Sequence, residues 1–140
     1  MTYLIDTNVL SELAKKRRNP GVLDWLASTD ASGHHISVLT IGELRRGIER
    51  VRRRGDASQV ASLERALAAV RSEFAERVVP VTLDVADEWS RLPVDRPLPV
   101  VDALIGATAR ARGWTVVTRN VRDFAPLGVP TLNPFTEDQR

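Results

Sequence analysis

Asp6, Glu43, Asp102 and Asp123 each stand just beyond a short apolar run or in the first turn of the helix expected after one. In an open parallel sheet, ligands bind past the carboxyl ends of the strands, so side chains at these positions can reach a shared cleft. Carboxylates gathered there repel, each raising the pKa of the next, unless a cation neutralises them. A hard divalent ion such as Mg2+ or Mn2+ suits an all-oxygen donor set and keeps several of its waters. Water on such an ion is acidic enough to attack a phosphodiester, and a second ion can stabilise the leaving oxygen. The four acids together therefore point to a metal-dependent nuclease.

Each acid also has an ordinary structural reading. Asp6 and Asp123 are N-cap types ahead of the helical stretches beginning near Val9 and Phe124,. Thr40 and Glu43 match the capping box S/T-x-x-E,. Asp102 near a helix start favours the macrodipole, but its neighbours Val100, Val101, Ala103 and Leu104 make a setting where an unpaired carboxylate is costly,.

The elements that must position these acids follow from short apolar runs alternating with helical periodicity. Tyr3-Leu4-Ile5, His35–Leu39, Val78–Val81, Trp114–Thr118 and Val129–Leu132 read as strands, the third an edge strand because of Pro80,. Between them lie a helix ended by Asn19-Pro20-Gly21, a short helix over Val22–Leu26 and a helix opened by Thr40 that runs to Gly55. A long amphipathic helix follows over Asp56–Arg77, with Val60, Leu63, Leu67, Val70 and Phe74 on one face,. Further helices are expected over Leu83–Leu92, capped by Asp84, and over Val100–Arg112, closed by Gly113, with a helical turn at Asp123–Leu127,. Strands separated by helices imply an α/β fold, a central parallel sheet flanked by helices in three layers.

Composition narrows the chemistry. With no cysteine, disulfides, thiolate zinc sites and a cysteine nucleophile are excluded,. The formal charge is only +2, yet all basic residues but Lys15 and Lys16 are arginine, and they cluster at 15–18 and 45–54,. No apolar run approaches the ~20 residues of a membrane helix, and Met1–Leu13 lacks the basic lead of a signal peptide, so a cytoplasmic protein with no membrane partner is expected,. The length fits a single domain over 1–135 followed by a polar tail over 136–140,.

Four blocks in order now carry a resemblance. They are Tyr3-Leu4-Ile5-Asp6-Thr7-Asn8-Val9-Leu10, Ile36-Ser37-Val38-Leu39-Thr40-Ile41-Gly42-Glu43-Leu44, Val101-Asp102-Ala103-Leu104-Ile105-Gly106-Ala107 and Val117-Thr118-Arg119-Asn120-Val121-Arg122-Asp123-Phe124. In this order they resemble the motifs of PIN-domain ribonucleases, and within these the VapC toxins of type II toxin–antitoxin systems. The resemblance implies an endoribonuclease that uses Mg2+, or Mn2+, to cut RNA such as tRNA, rRNA or mRNA. It places Asp6, Glu43 and Asp102 at the metal, with the fourth acidic position at Asn120 or Asp123. It assigns Thr7, Asn8, Ser37 and Thr118 to small polar positions that support the acids. The partners it implies are a VapB-type antitoxin, operator DNA reached through the antitoxin, and a second copy in a homodimer.

Other features admit several uses. Arg45, Arg46 and Arg50 can grip RNA, contact an antitoxin or form a solvated face, and the apolar face from Ile41 and Leu44 toward Leu63 and Leu67 can extend into a groove for an antitoxin peptide or second protomer,. His34 and His35 fall at the start of the second strand, away from the expected site. Trp25, Trp89 and Trp114 read as core, with Phe74 and Phe124,. A receiver domain needs adjacent acids after the first strand and a late lysine, and a haloacid-dehalogenase-type phosphatase needs Asp-x-Asp. Thr7, Asn8 and the lack of lysine after Lys16 fail both. A silent or DNA-directed module of the same fold, working with an antitoxin at an operator, is the alternative.

Overall fold

A computed structural model describes residues 1–93 and 95–137; Val94, in the expected proline loop, and 138–140, in the expected tail, lie outside the described residues. Five strands form one parallel sheet: β1 (Tyr3–Ile5), β2 (His34–Ser37), β3 (Val78–Val79), β4 (Thr115–Val117) and β5 (Thr131–Leu132), in the order β3-β2-β1-β4-β5. β1 is therefore central, and β3, with Pro80 next to it, lies at an edge where a missing N–H is harmless,.

Both faces of the sheet are covered, which is why the central strands β1 (Tyr3-Leu4-Ile5) and β4 (Thr115-Val116-Val117) are almost wholly apolar instead of alternating with polar residues,. Tyr3 and Ile5 belong to a core with Val9, Val22, Ile36, Phe74 and Val117. Leu4 and Val116 belong to another with Ile105, Phe124 and Leu127. The first is closed by α1 (Thr7–Glu12), α2 (Pro20–Ser28) and the helical pair α3 (Val38–Arg53) and α4 (Ala57–Glu73). The second is closed by α6 (Val100–Arg112) and α7 (Val121–Phe124), with α5 (Leu83–Ser90) packed along α6. A third apolar cluster, Ile48, Val51, Val60 and Leu67, joins α3 to α4.

Several boundaries differ from the sequence expectation for identifiable reasons. Asn19-Pro20 opens α2 instead of ending the preceding helix: the Asn19 carbonyl oxygen of the side chain accepts from the Gly21 and Val22 N–H groups, and Pro20 occupies a first-turn position that needs no donor,. β2 stops at Ser37, whose hydroxyl accepts from the Leu39 N–H and caps α3. Thr40 is thus fully buried inside the first turn, and no capping box with Glu43 forms. Thr82, not Asp84, caps α5. Trp89 is exposed on α5, whereas Trp25 and Trp114 pack against the two cores as expected. Gly55 (φ +80°) reverses the chain between α3 and α4, and Gly113 (φ +69°) ends α6 in the left-handed cap that glycine adopts without strain,.

Candidate active site

The strand order places the topological switch beside β1, where α1 leaves toward one face and the chain after β4 returns on the other,. Asp6 sits at that point. Its backbone N–H donates to the Val117 carbonyl at 2.9 Å, extending the β1–β4 ladder by one residue, and its side chain is 3% exposed. One carboxylate oxygen accepts from the Thr7 N–H at 2.8 Å. The other accepts from the Thr118 hydroxyl at 2.8 Å and the Asn8 amide at 3.3 Å. Asn8 Nδ2 also donates to Thr118 Oγ1, while Asn8 Oδ1 accepts from the Arg119 N–H and Thr118 Oγ1 accepts from the Asn120 N–H. The ends of β1 and β4 are thereby stitched together by side chains more than a hundred residues apart.

Glu43 reaches the same place from α3. Because the cap is made by Ser37, its carboxylate is free to accept from the Thr7 hydroxyl at 2.6 Å, and Thr7 also lies 3.3 Å from the Thr40 hydroxyl. Asp102 projects from the first turn of α6. Together with Asp6, Glu43, Asn8 and Asn120 it lines a cleft of about 450 Å³. Burial pushes the Asp6 carboxyl above its ordinary range despite the Thr118 and Thr7 hydrogen bonds, with Glu43 and Asp123 adding to the rise. Burial, and then the charges of Asp6, Glu43 and Asp123, push Asp102 up to about 6. Asp6 and Asp102 are therefore perturbed by burial first and by neighbouring acids second, the combination that marks candidate functional sites,.

Asp123 and Asn120 take different places. Asn120 occupies the N-cap position of α7 without a side-chain capping bond and lines the cleft. Asp123, which does not cap that helix, pairs with Arg96, whose guanidinium also donates to the Arg122 carbonyl. Sequence reasoning passed over Arg96, 27 residues away in the connection between α5 and α6, and also Glu12, which is 5% exposed, lines the cleft and accepts from Lys15 and the Asn19 N–H.

Among the described residues, no three acidic or imidazole side chains converge closely enough to ligate one ion together. The donor set nonetheless fits a hard divalent cation in kind: all oxygen, anionic, and destabilised by mutual repulsion in its absence,. Arg46 and Arg50 lie on the far side of Thr7 and Glu43, lining a second cavity, whereas Arg45 turns away to pair with Glu64 on α4. The expected apolar groove is present, formed by Leu10, Leu44, Ile48, Leu63 and Leu67 with Glu43 at its end. His34 is buried at the opposite end of β2, stacked on Trp25 and bonded to Thr29.

A doubly wound parallel sheet with acids gathered at its switch point is the architecture of PIN domains, and the PIN domain family profile matches residues 3–128. The chain belongs to the PIN domain family. Its relatives there are named toxins and plasmid-stability proteins. It is 32% identical to plasmid stability protein StbB of Pseudomonas syringae over 94% of this chain and 97% of that one. It is 30% identical to a VapC ribonuclease of Sinorhizobium fredii, covering 94% and 96%. Among solved structures, FitAcB from Neisseria gonorrhoeae superposes with a TM-score of 0.85 at 28% identity, covering 95% of this chain and 98% of that one.

Proposed function

We propose that this protein is a metal-dependent endoribonuclease acting as the toxin of a toxin–antitoxin pair. The observation that carries the reading is the convergence of Asp6, Glu43 and Asp102 on one cleft at the carboxyl edge of the sheet, where burial and neighbouring acids raise the proton affinity of Asp6 and Asp102. Asp6, Glu43 and Asp102 would hold Mg2+ or Mn2+, which supplies charge neutralisation and water acidified enough to attack a phosphodiester. The chain's own groups prepare that site. Thr118 and the Thr7 N–H fix the Asp6 carboxylate, and the Thr7 hydroxyl holds Glu43. Asp102, titrating near 6, holds a proton readily in the ion-free state and gives it up when a cation arrives,. Asn120 and Asp123 contribute as outer members, the latter with its charge offset by Arg96.

Relatives named VapC ribonuclease and toxin FitB, and the FitAB assembly bound to DNA, which superposes at a TM-score of 0.82, support the remaining parts of the reading. These are a VapB-type antitoxin that covers the site and operator DNA reached through that antitoxin; a homodimer and action in the cytoplasm complete the proposal. No described helix is long and apolar enough to cross a membrane. The test is purified protein with total RNA and with DNA, with Mg2+ or with chelator. Cleavage of RNA alone, abolished by chelator and by Asp102→Asn, is the expected result; chelator-resistant cleavage or cleavage of DNA alone overturns the reading.

A further inference from the structure

Beside the acidic cleft the chain builds a second surface that the acids do not use. Arg119 lies two residues beyond the end of β4, and its guanidinium carbon lies 4.6 Å from the centroid of the Phe135 ring, a cation–π contact,. Both residues line the cleft that holds Asp6, Glu43 and Asp102. The arginine side chain is exposed, whereas the phenylalanine packs against the core behind it. Arg119 also lines the adjoining cavity of about 320 Å³, where, among the described residues, Lys15, Arg17 and Arg18 meet the acids Glu12 and Glu137, and Lys15 is paired with Glu12. The two cavities share Glu12, Lys15 and Arg119, so they form one trough that runs from carboxylates to arginines.

The contact is held in place from both sides. The Arg119 N–H donates to Asn8 Oδ1, tying the arginine's backbone to the floor of the acidic site. Phe135 lies on a strap over 133–136 that docks on the start of α2. The Asn19 side chain caps that helix, accepts from the Thr136 N–H at 3.1 Å, and donates to the Thr136 carbonyl at 2.9 Å. Gly21 makes room for the strap, since a Cβ there would come within 2.4 Å of the Pro134 carbonyl oxygen. An exposed guanidinium backed by a rigid aromatic ring is a flat cationic surface of the kind on which unstacked bases lie.

We propose that Arg119, backed by Phe135, is a stacking platform for the nucleotide next to the scissile phosphate, with Arg17 and Arg18 receiving the phosphates beyond it. The proposal deepens the nuclease reading by assigning its substrate a single-stranded character at this point, because only an unpaired base offers its face to the guanidinium. Arg119 touches substrate; Phe135 is a positioning residue that acts through it.

The experiment is fluorescence anisotropy of a labelled, mixed-sequence RNA of about 12 nucleotides in EDTA, where binding is read without cleavage. Arg119→Ala is expected to weaken binding about tenfold, and Phe135→Leu, which keeps the core contact but removes the ring, about threefold to fivefold. Arg119→Lys is expected to leave the salt dependence of binding unchanged while recovering less than half of the loss, because lysine keeps the charge and lacks the plane. Wild-type affinity in Arg119→Ala, full recovery by Arg119→Lys, or absence of RNA binding by the wild-type protein overturns the platform. The outcomes separate: Arg119-dependent RNA binding without any metal-dependent cleavage removes the nuclease assignment and with it the placement beside a scissile phosphate, leaving only a site for an unpaired base, whereas cleavage indifferent to Arg119 removes the platform alone.

Discussion

The acidic cleft and the α3–α4 hairpin use the same residue types to opposite ends. In the cleft, Asp6 is nearly inaccessible and Asp102 is half-buried, and burial together with neighbouring acids raises the affinity of both for a proton. On the hairpin, Glu64 is exposed and lies between Arg45 and Arg52, which hold it below the usual carboxylate range. Like charges are gathered where they cost the fold stability, and opposite charges are paired where water already screens them. The contrast teaches that in this protein charge density by itself marks neither stability nor function; the sign pattern together with burial does.

Breaking the cleft is expected to give the largest effect. Asp6→Asn or Asp102→Asn should reduce metal-dependent RNA cleavage about 10³-fold while circular dichroism stays native, since several kcal/mol of charge stabilisation depends on them. Next comes the apolar seam of the hairpin. Leu67, 3% exposed, supports α3 against α4, so Leu67→Ala should lower stability in urea by about 2–4 kcal/mol and leave cleavage per folded molecule unchanged,.

A smaller effect sharpens the comparison through pH. The folded protein binds a proton at Asp102 more tightly than the unfolded chain does, so this group lowers stability as pH rises from about 4 through 6 and the full penalty remains above that,. Asp102→Asn should therefore raise the metal-free Tm by a few degrees at pH 7.5, with the gain vanishing near pH 4. Since the site is half open to solvent, the gain is well below what its titration alone would give. Saturating Mg2+ should stabilise the wild type and erase the variant's advantage. The smallest effect belongs to the exposed pairs: Glu64→Ala should shift the urea midpoint only slightly in low salt and leave it unchanged in about 1 M NaCl,.

How far the sequence carried depended on whether a signal was local. β1, β4, α6 and its Gly113 cap lie where apolar periodicity and turn chemistry place them, because those depend on adjacent residues. The capping-box pattern at Thr40 opens α3 too late and extends β2 to Leu39, because Ser37 is an equally good cap and only the end of β2 decides between them. Asp6, Glu43 and Asp102 were visible as acids following strands, and the topology brings them to one cleft. The Arg96–Asp123 pair and the docking of Thr136 on Asn19 were not visible, since each joins segments whose meeting is set by tertiary packing alone. Trp89 reads as core from its residue type, yet it is exposed near the end of α5, where Val85 is the buried residue.

The turn at Gly55 has a consequence for how the molecule can be divided. It is exposed, a side chain there would meet nothing, and it separates β1, β2 and α3 from the other three strands. A chain interrupted at that turn leaves Asp6 and Glu43 on one fragment and Asp102 and Asp123 on the other, so neither piece alone carries more than two of the acids. The β1–β4 ladder and the Thr118–Asp6 bond then form only on reassembly. Such a split pair would serve as a reporter of proximity, its halves inert until fused partners bring them together.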